Sequence, residues 1–164
     1  MRSKILKLSD LIQTVEDLRK SGKQIVFTNG CFDILHVGHM RYLADARYEG
    51  DVLVVGLNSD ASVKSIKPDN RPIVTQEQRA EVLAGLVFVD FITIFGESDP
   101  LALISAIKPD ILVKGADWKE KEIVGADVVK ACGGKVVRVE VVPGISTSRI
   151  IRRIIKRYQK EDGE

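Results

Sequence analysis

Val52-Leu53-Val54-Val55-Gly56-Leu57 is apolar at every position. A strand with one face in water alternates apolar and polar side chains; a strand covered on both faces reads as an unbroken apolar run. This hexapeptide therefore reads as a central strand of a parallel sheet with helices on either side. The flanking sequence follows the same logic. Residues 24–28 are a second short, β-branched run. Before it, Leu11, Ile12, Val15 and Leu18 form one face of a helix within residues 1–22, which Ser9 can cap and Ser21-Gly22-Lys23 ends. Val37–Tyr48 reads as the helix between the two strands, closed by Gly50. Downstream, strands over 89–95, 110–114 and 135–142 alternate with helices over 75–86, 99–107, 124–132 and 146–160. Thr75 and Gln78 give the first of these helices a capping box, and Pro100 suits the first turn of the second. Residues 62–74 read as a polar, basic loop. This alternation predicts an α/β fold with right-handed βαβ crossovers and one Rossmann-like parallel sheet. In such a sheet the ligand lies beyond the carboxyl ends of the strands, where the strand order reverses.

Length and composition fit one domain over residues 1–164, with 161–164 expected to be a disordered tail. Lys and Arg number 25 and Asp and Glu 23, a net charge of +2. That balance argues against nucleic acid as a partner, because a nucleic-acid-binding domain needs a large positive excess. Two cysteines, Cys31 and Cys132, make no disulfide framework and fit a reducing cytoplasm. No signal peptide or membrane-spanning run is visible, so no membrane association is expected. The basic, amphipathic segment 146–160 has the pattern of a membrane-surface helix. Its stripe lacks Trp and Phe, so a closing helix packed on the sheet is the better reading.

The chain has two histidines, His36 and His39, three residues apart at a predicted helix start just after the first strand. That spacing places both rings on one face, beside unpaired backbone N–H groups and the positive end of the helix dipole. Gly38 leaves room between the rings, and Gly30 permits close approach of the backbone to a ligand. Donors around an uncrowded point suit a phosphate chain and a pentacoordinate phosphorus. No third histidine exists to complete a zinc site, so no resident metal is expected. Pro143-Gly144-Ile145-Ser146-Thr147-Ser148 follows the last predicted strand and opens the closing helix. Its start would lie at the same sheet edge, and two converging helix starts make a phosphate-chain site.

Residues 30–39, Gly-Cys-Phe-Asp-Ile-Leu-His-Val-Gly-His, resemble the HxGH signature of the cytidylyltransferase-like nucleotidyltransferases. Gly144-Ile145-Ser146-Thr147-Ser148 resembles their second motif. Within that superfamily, residues 29–36, 56–63 and 112–118 are most similar to heptose 1-phosphate adenylyltransferases. The resemblance implies strand order 3-2-1-4-5 and transfer of AMP from ATP to a sugar 1-phosphate. The acceptor it implies is D-glycero-β-D-manno-heptose 1-phosphate, with ADP-heptose and pyrophosphate as products, Mg²⁺ arriving with ATP, and a homodimer. In many bacteria the activity is half of a two-domain kinase/adenylyltransferase; this chain reads as that half standing alone.

On this reading His36, His39, Lys64 and Arg79 are the catalytic candidates. ATP would meet Gly30, Cys31 (through its N–H), Phe32, His36, Gly38, His39, Lys114, Gly115, Asp117 and the 144–148 turn. The acceptor would meet Asp33, Asn58, Asp60, Lys67, Arg71 and Trp118. Three roles fit Asp33: orienting His36, contacting the sugar phosphate, or capping the helix. Trp118 can cover a base or sugar, or sit in the core. The Arg that related cytidylyltransferases carry before the second motif is absent, and Arg149 or Arg152 can substitute. Other nucleotidyltransferases, such as glycerol-3-phosphate, FAD-pathway or coenzyme-A-pathway enzymes, and a non-catalytic nucleotide-binding module remain alternatives. An NAD-binding Rossmann domain lacks its G-x-G-x-x-G turn here.

Overall fold

All seven residues of the strand Val52–Asn58 are buried. The computed structural model describes residues 2–68 and 70–159. Its strands are β1 (Ile25–Gly30), β2 (Val52–Asn58), β3 (Phe91–Phe95), β4 (Ile111–Gly115) and β5 (Lys135–Val139). They form one all-parallel sheet in the order β3-β2-β1-β4-β5, as expected. The helices are α1 (Leu8–Lys20), α2 (Val37–Tyr48), α3 (Asp60–Ile66), α4 (Gln76–Ala84), α5 (Leu101–Ile107), α6 (Ala126–Ala131) and α7 (Thr147–Tyr158).

Side chains alternate across a strand, and both faces of the sheet are covered. Val26, Leu53, Val55, Ile92 and Val113 pack against Leu43 and Ala46 of α2 and Leu83 of α4. Phe27, Val54 and Leu112 pack against Leu11 of α1, Ile104 of α5 and Val129 of α6. Gly56 sits where β2 is closely flanked by Phe27 of β1 and Leu103 of α5. A Cβ there would stand 2.8 Å from Phe27 Cζ and 3.0 Å from Leu103 Cδ2. Gly56→Ala is therefore expected to cost about 1–3 kcal/mol, the usual range for overpacking. Urea denaturation checks this; an unchanged midpoint would mean this layer yields freely.

The chain moves outward from β1 to β2 and β3, then returns to place β4 on the other side of β1. The order reverses between β1 and β4, and there the ladder is short. It contains only Val26↔Ile111 and Phe27↔Leu112, whereas β1 and β2 pair over six positions. Beyond Phe27 and Leu112 the two strands part, leaving a cleft at the carboxyl edge.

Several local expectations are corrected. Ser9 does not cap α1; Lys7 holds the cap position without a side-chain bond, and the Ser9 hydroxyl turns to Asp10. Thr75 precedes α4 but makes no side-chain cap bond. Gln76 Oε1 instead accepts from the Asp60 amide at 2.9 Å, which ties α4 to α3. The segment read as a loop from residue 62 is helical through Ile66, because Ser59 caps α3 by accepting from the Ser62 amide. Strand β5 stops at Val139, before Pro143. The closing helix is not packed along the sheet: in α7 only Thr147 is buried, and Ile154 and Ile155 are about half exposed. The expected tail, 161–164, lies outside the described residues.

Candidate functional site

A cavity of about 620 Å³ opens at the carboxyl edge where β1 and β4 separate. That is within the usual size of small-molecule sites. One wall is the loop from Gly30 to the start of α2. His36 is the N-cap of α2, and its Nδ1 accepts from the His39 amide at 3.4 Å. That bond leaves the His36 proton on Nε2, free to donate. The His36 and His39 rings stack, centroids 3.8 Å apart and 15° from parallel. Phe32 meets the His39 ring edge-on at 5.3 Å. Burial lowers the His36 pKa. Burial, the neighbouring His36 and then Arg71 push His39 down to about 4, against a small opposing pull from Asp33. Both rings are neutral at pH 7, so each offers a hydrogen bond rather than a charge. His39 Nδ1 is the one buried side-chain nitrogen or oxygen without a partner among the described residues. Polar groups left unpaired in this way occur where function holds them.

The second expected motif forms the facing wall. Ser146 caps α7 by accepting from the Arg149 amide at 3.3 Å, and Ile145 to Ser148 line the cavity. A Cβ on Gly38 would stand 3.2 Å from Ile145 Cγ2, so the two helix starts are in contact. Thr147 Oγ1 donates to the Asp33 carbonyl at 2.7 Å and joins the walls.

Asp33 lines the cavity but neither caps α2, whose cap is His36, nor bonds the His36 ring. Its carboxylate accepts from the Ile73 and Val74 amides, each at 2.9 Å, and from Arg71 Nε. Burial alone would raise its pKa, but those two amides and the guanidinium outweigh it and hold the carboxyl below its ordinary value. Its neighbours Phe32 and Ile34 adopt left-handed φ of 46° and 53°. Side chains of that kind rarely do so, at a cost of order 1 kcal/mol each. The three bonds to Asp33 and the Thr147 bond hold the loop in that shape. Asp33 is thus a clasp pinning the 71–74 segment over the cavity mouth.

Arg79 also departs from expectation. It is 2% exposed and lies outside the cavity. Its guanidinium donates to the Val74 and Cys31 carbonyls at 2.9 and 2.5 Å and to Asp60 Oδ1 at 2.7 Å. It braces the histidine loop from below and leaves Asp60 no part in the cavity. Lys64 is exposed on α3, away from the cavity, and Gly144 does not line it. Lys67 and Arg71 do reach it, as do Gly30, Cys31, Asn58, Lys114, Gly115, Asp117 and Trp118. Trp118 is 48% exposed, which rules out a core role. Arg149 and Arg152 are exposed and outside the cavity. Burial pushes the Cys31 thiol pKa up, so it is no ready nucleophile.

Several lining residues escape the sequence reading, the apolar Ile66, Pro68, Ile123, Val124, Val141 and Val142 among them. Ser98, Asp99 and Pro100 follow β3, where the rule that ligands meet strand carboxyl ends would have found them. Asn29, at the carboxyl end of β1, falls under the same rule, whereas Tyr42 carries no local signal. Tyr42 lies in α2, and its hydroxyl reaches Thr28 Oγ1 at 2.6 Å and the Val113 carbonyl at 3.1 Å.

The family model for cytidylyltransferase-like proteins matches residues 27–153, from β1 into α7. The chain belongs to the cytidylyltransferase-like family. It is 58% identical over 149 residues to the bifunctional protein HldE of Campylobacter concisus, covering 90% of this chain and 31% of that protein. It is 48% identical over 158 residues to the protein of the same name from Syntrophotalea carbinolica, covering 96% and 32%. The chain thus spans about a third of the length of these relatives. Among solved structures, the lipopolysaccharide core biosynthesis protein of Thermoplasma volcanium superposes with a TM-score of 0.62 at 30% identity, covering 74% of this chain and 98% of that one. The pantoate-beta-alanine ligase of Francisella tularensis, with a TM-score of 0.55 and 18% identity over 83% of this chain and 66% of its own, shares the fold.

Proposed function

We propose that this chain transfers AMP from ATP to a sugar 1-phosphate, D-glycero-β-D-manno-heptose 1-phosphate, to give ADP-heptose and pyrophosphate. Such a product is a precursor for lipopolysaccharide or another cell-surface glycan. The carrying observation is the contact of two helix starts, α2 and α7, around two stacked, neutral histidines at the sheet's switch point. The resemblance to HldE proteins over nearly all of this chain supports the acceptor.

In this reading an oxygen of the sugar phosphate attacks the α-phosphorus of ATP in line. The new P–O bond forms as the bond to the β-phosphate oxygen breaks, and pyrophosphate leaves from the opposite side. The acceptor is already anionic, so no strong base is required. The histidines donate hydrogen bonds to phosphoryl oxygens as charge moves to the leaving group, and the helix starts add oriented N–H donors. The two walls hold donor and acceptor in line. Lys67 and Arg71 supply positive charge at the mouth. Mg²⁺ comes with ATP and screens its phosphates; Asp33, committed to Arg71 and two amides, is not free to ligate it.

The chain acts as one adenylyltransferase domain in the cytoplasm. No helix among the described residues is long and apolar enough to cross a membrane. A homodimer would pair through the edge beside β3, where Val82 is 52% and Val87 89% exposed.

The family's name admits CTP as well as ATP, and the second reading is a glycerol-3-phosphate cytidylyltransferase. Pyrophosphate release with ATP or CTP, each against heptose 1-phosphate and glycerol 3-phosphate, separates them. Turnover is expected with ATP and heptose 1-phosphate. Preference for CTP with glycerol 3-phosphate would install the second reading. Tight ATP binding with no pyrophosphate from any acceptor would favour a non-catalytic module.

A further inference from the structure

The β1–β4 ladder ends at Phe27↔Leu112, and continuing it would next set Thr28 against Val113. The backbones do not make that rung. The Tyr42 hydroxyl stands there instead, 2.6 Å from Thr28 Oγ1 and 3.1 Å from the Val113 carbonyl. A carbonyl can only accept, so Tyr42 donates its one proton to Val113 and accepts from the Thr28 hydroxyl. Burial raises the Tyr42 pKa, which keeps that proton in place. One step further along the cleft, Lys114 Nζ donates to Asn29 Oδ1. Side chains thus bridge the two strands where the backbones have parted, and the first bridge comes from a helix.

That helix is α2, and Tyr42 lies three residues beyond His39 on the same face. Among the described residues no other side chain of α2 bonds to a strand; Arg47 turns to the Gly50 carbonyl and to Asp90, which lie outside the strands. The Asp33 and Thr147 bonds of the histidine loop run to residues 73 and 74 and to α7, away from the sheet. Leu43 and Ala46 pack α2 on the sheet through apolar contact, which has no preferred direction. The Tyr42 hydroxyl therefore gives α2 its directional hold on both strands that frame the cleft. Thr28 is fully buried, and neither it nor Val113 lines the cavity, so neither can touch a ligand there.

We propose that Tyr42 is a positioning residue: its hydroxyl, standing in for the absent Thr28–Val113 rung, holds His36 and His39 in register with the β1–β4 cleft. This rests on the nucleotidyltransferase reading and adds to it the group that aligns the two histidines with the sheet.

Tyr42→Phe keeps the ring and removes only the hydroxyl. It is expected to lower kcat for pyrophosphate release about tenfold and to leave the KM values for ATP and heptose 1-phosphate within about twofold, because a misplaced group loses rate before it loses ground-state binding. Thr28→Val is expected to lower kcat by less, since Tyr42 keeps its bond to Val113, and Thr28→Ser, which restores the donor, is expected to recover the wild-type rate. The double variant with Tyr42→Phe and Thr28→Val is expected to be no slower than Tyr42→Phe alone, because Thr28 acts only through the tyrosine oxygen. Ile104→Val, a core loss on the other face of the sheet, controls for stability and is expected to leave kcat unchanged. Imidazole NMR on the free protein gives a readout that needs no turnover. Tyr42→Phe is expected to let water reach His39 and to raise its titration midpoint by about one unit or more. A Tyr42→Phe protein with wild-type kcat, or with an unmoved His39 midpoint, overturns the proposal. So does Thr28→Val at wild-type kcat beside a slow Tyr42→Phe, which would mean that the hydroxyl meets a substrate directly, and so does Ile104→Val as slow as Tyr42→Phe. Wild-type protein that releases no pyrophosphate sinks the nucleotidyltransferase reading instead, and the His39 midpoint then decides by itself whether Tyr42 holds the histidines.

Discussion

Replacing His36 by alanine is expected to lower kcat for pyrophosphate release by a hundredfold or more, with little change in the affinity for ATP. The same holds for His39. The magnitude is that of one lost donor to developing charge on a transition state. His36 offers Nε2–H because its Nδ1 is occupied by the His39 amide. His39 is held against His36 and Phe32. Stacking couples the two rings, so the double variant is expected to lose less than the product of the single losses. Single variants with near-wild-type turnover would remove the histidines from the mechanism. Their protonation has an independent readout. Burial lowers both pKa values, His39 to about 4. Imidazole NMR should therefore find His39 neutral at pH 5.5, and a midpoint near 6.5 would contradict the packing. The sign for stability follows. Below about pH 6.5 the unfolded chain binds a proton that folded His39 refuses, so stability falls as pH drops from there toward 4.

Asp33→Ala is expected to cost about 2–4 kcal/mol in unfolding free energy, with a rise in KM for both substrates. One carboxylate satisfies two backbone amides and a guanidinium, and removing it strands all three. The loss is less than for a sealed core ion pair, because the 71–74 segment can open and rehydrate. That opening withdraws Arg71 and Lys67 from the cavity mouth, which is why KM should respond. Urea denaturation and steady-state kinetics check it; an unchanged denaturation midpoint would mean the clasp is idle. The Asp33 carboxyl is held below its ordinary value in the folded state. Its contribution is fully present above the unfolded value near 4 and is lost as pH falls through the lower folded one.

The two helix starts are legible because helix capping and the turn after a strand are local: Gly38 between two histidines and Ser146 before Thr147 announce themselves within a few residues. Arg79 shows the limit. A basic side chain one turn into a helix reads as a phosphate contact, and nothing nearby reports that Val74, Cys31 and Asp60 consume its donors. Lys64 fails for a related reason: the Ser59 cap extends a helix where a loop was expected, and the helix carries the side chain outward. The opposite error hides Tyr42, whose partners Thr28 and Val113 are contributed by β1 and β4.

By itself the sequence determined the alternation of strands and helices, the doubly buried central strand, and the placement of His36, His39 and the 144–148 turn at carboxyl ends. Those features are written in period, run length and turn residues, which act over a few positions. The order of the strands came from resemblance, and the structure bears it out. Only the tertiary structure decided where β1 and β4 part, which way Asp33 and Arg79 turn, and that Lys114 of β4 meets Asn29 of β1. Each is a matter of which distant group satisfies a polar atom, and pairing across the fold leaves no periodic trace in the chain.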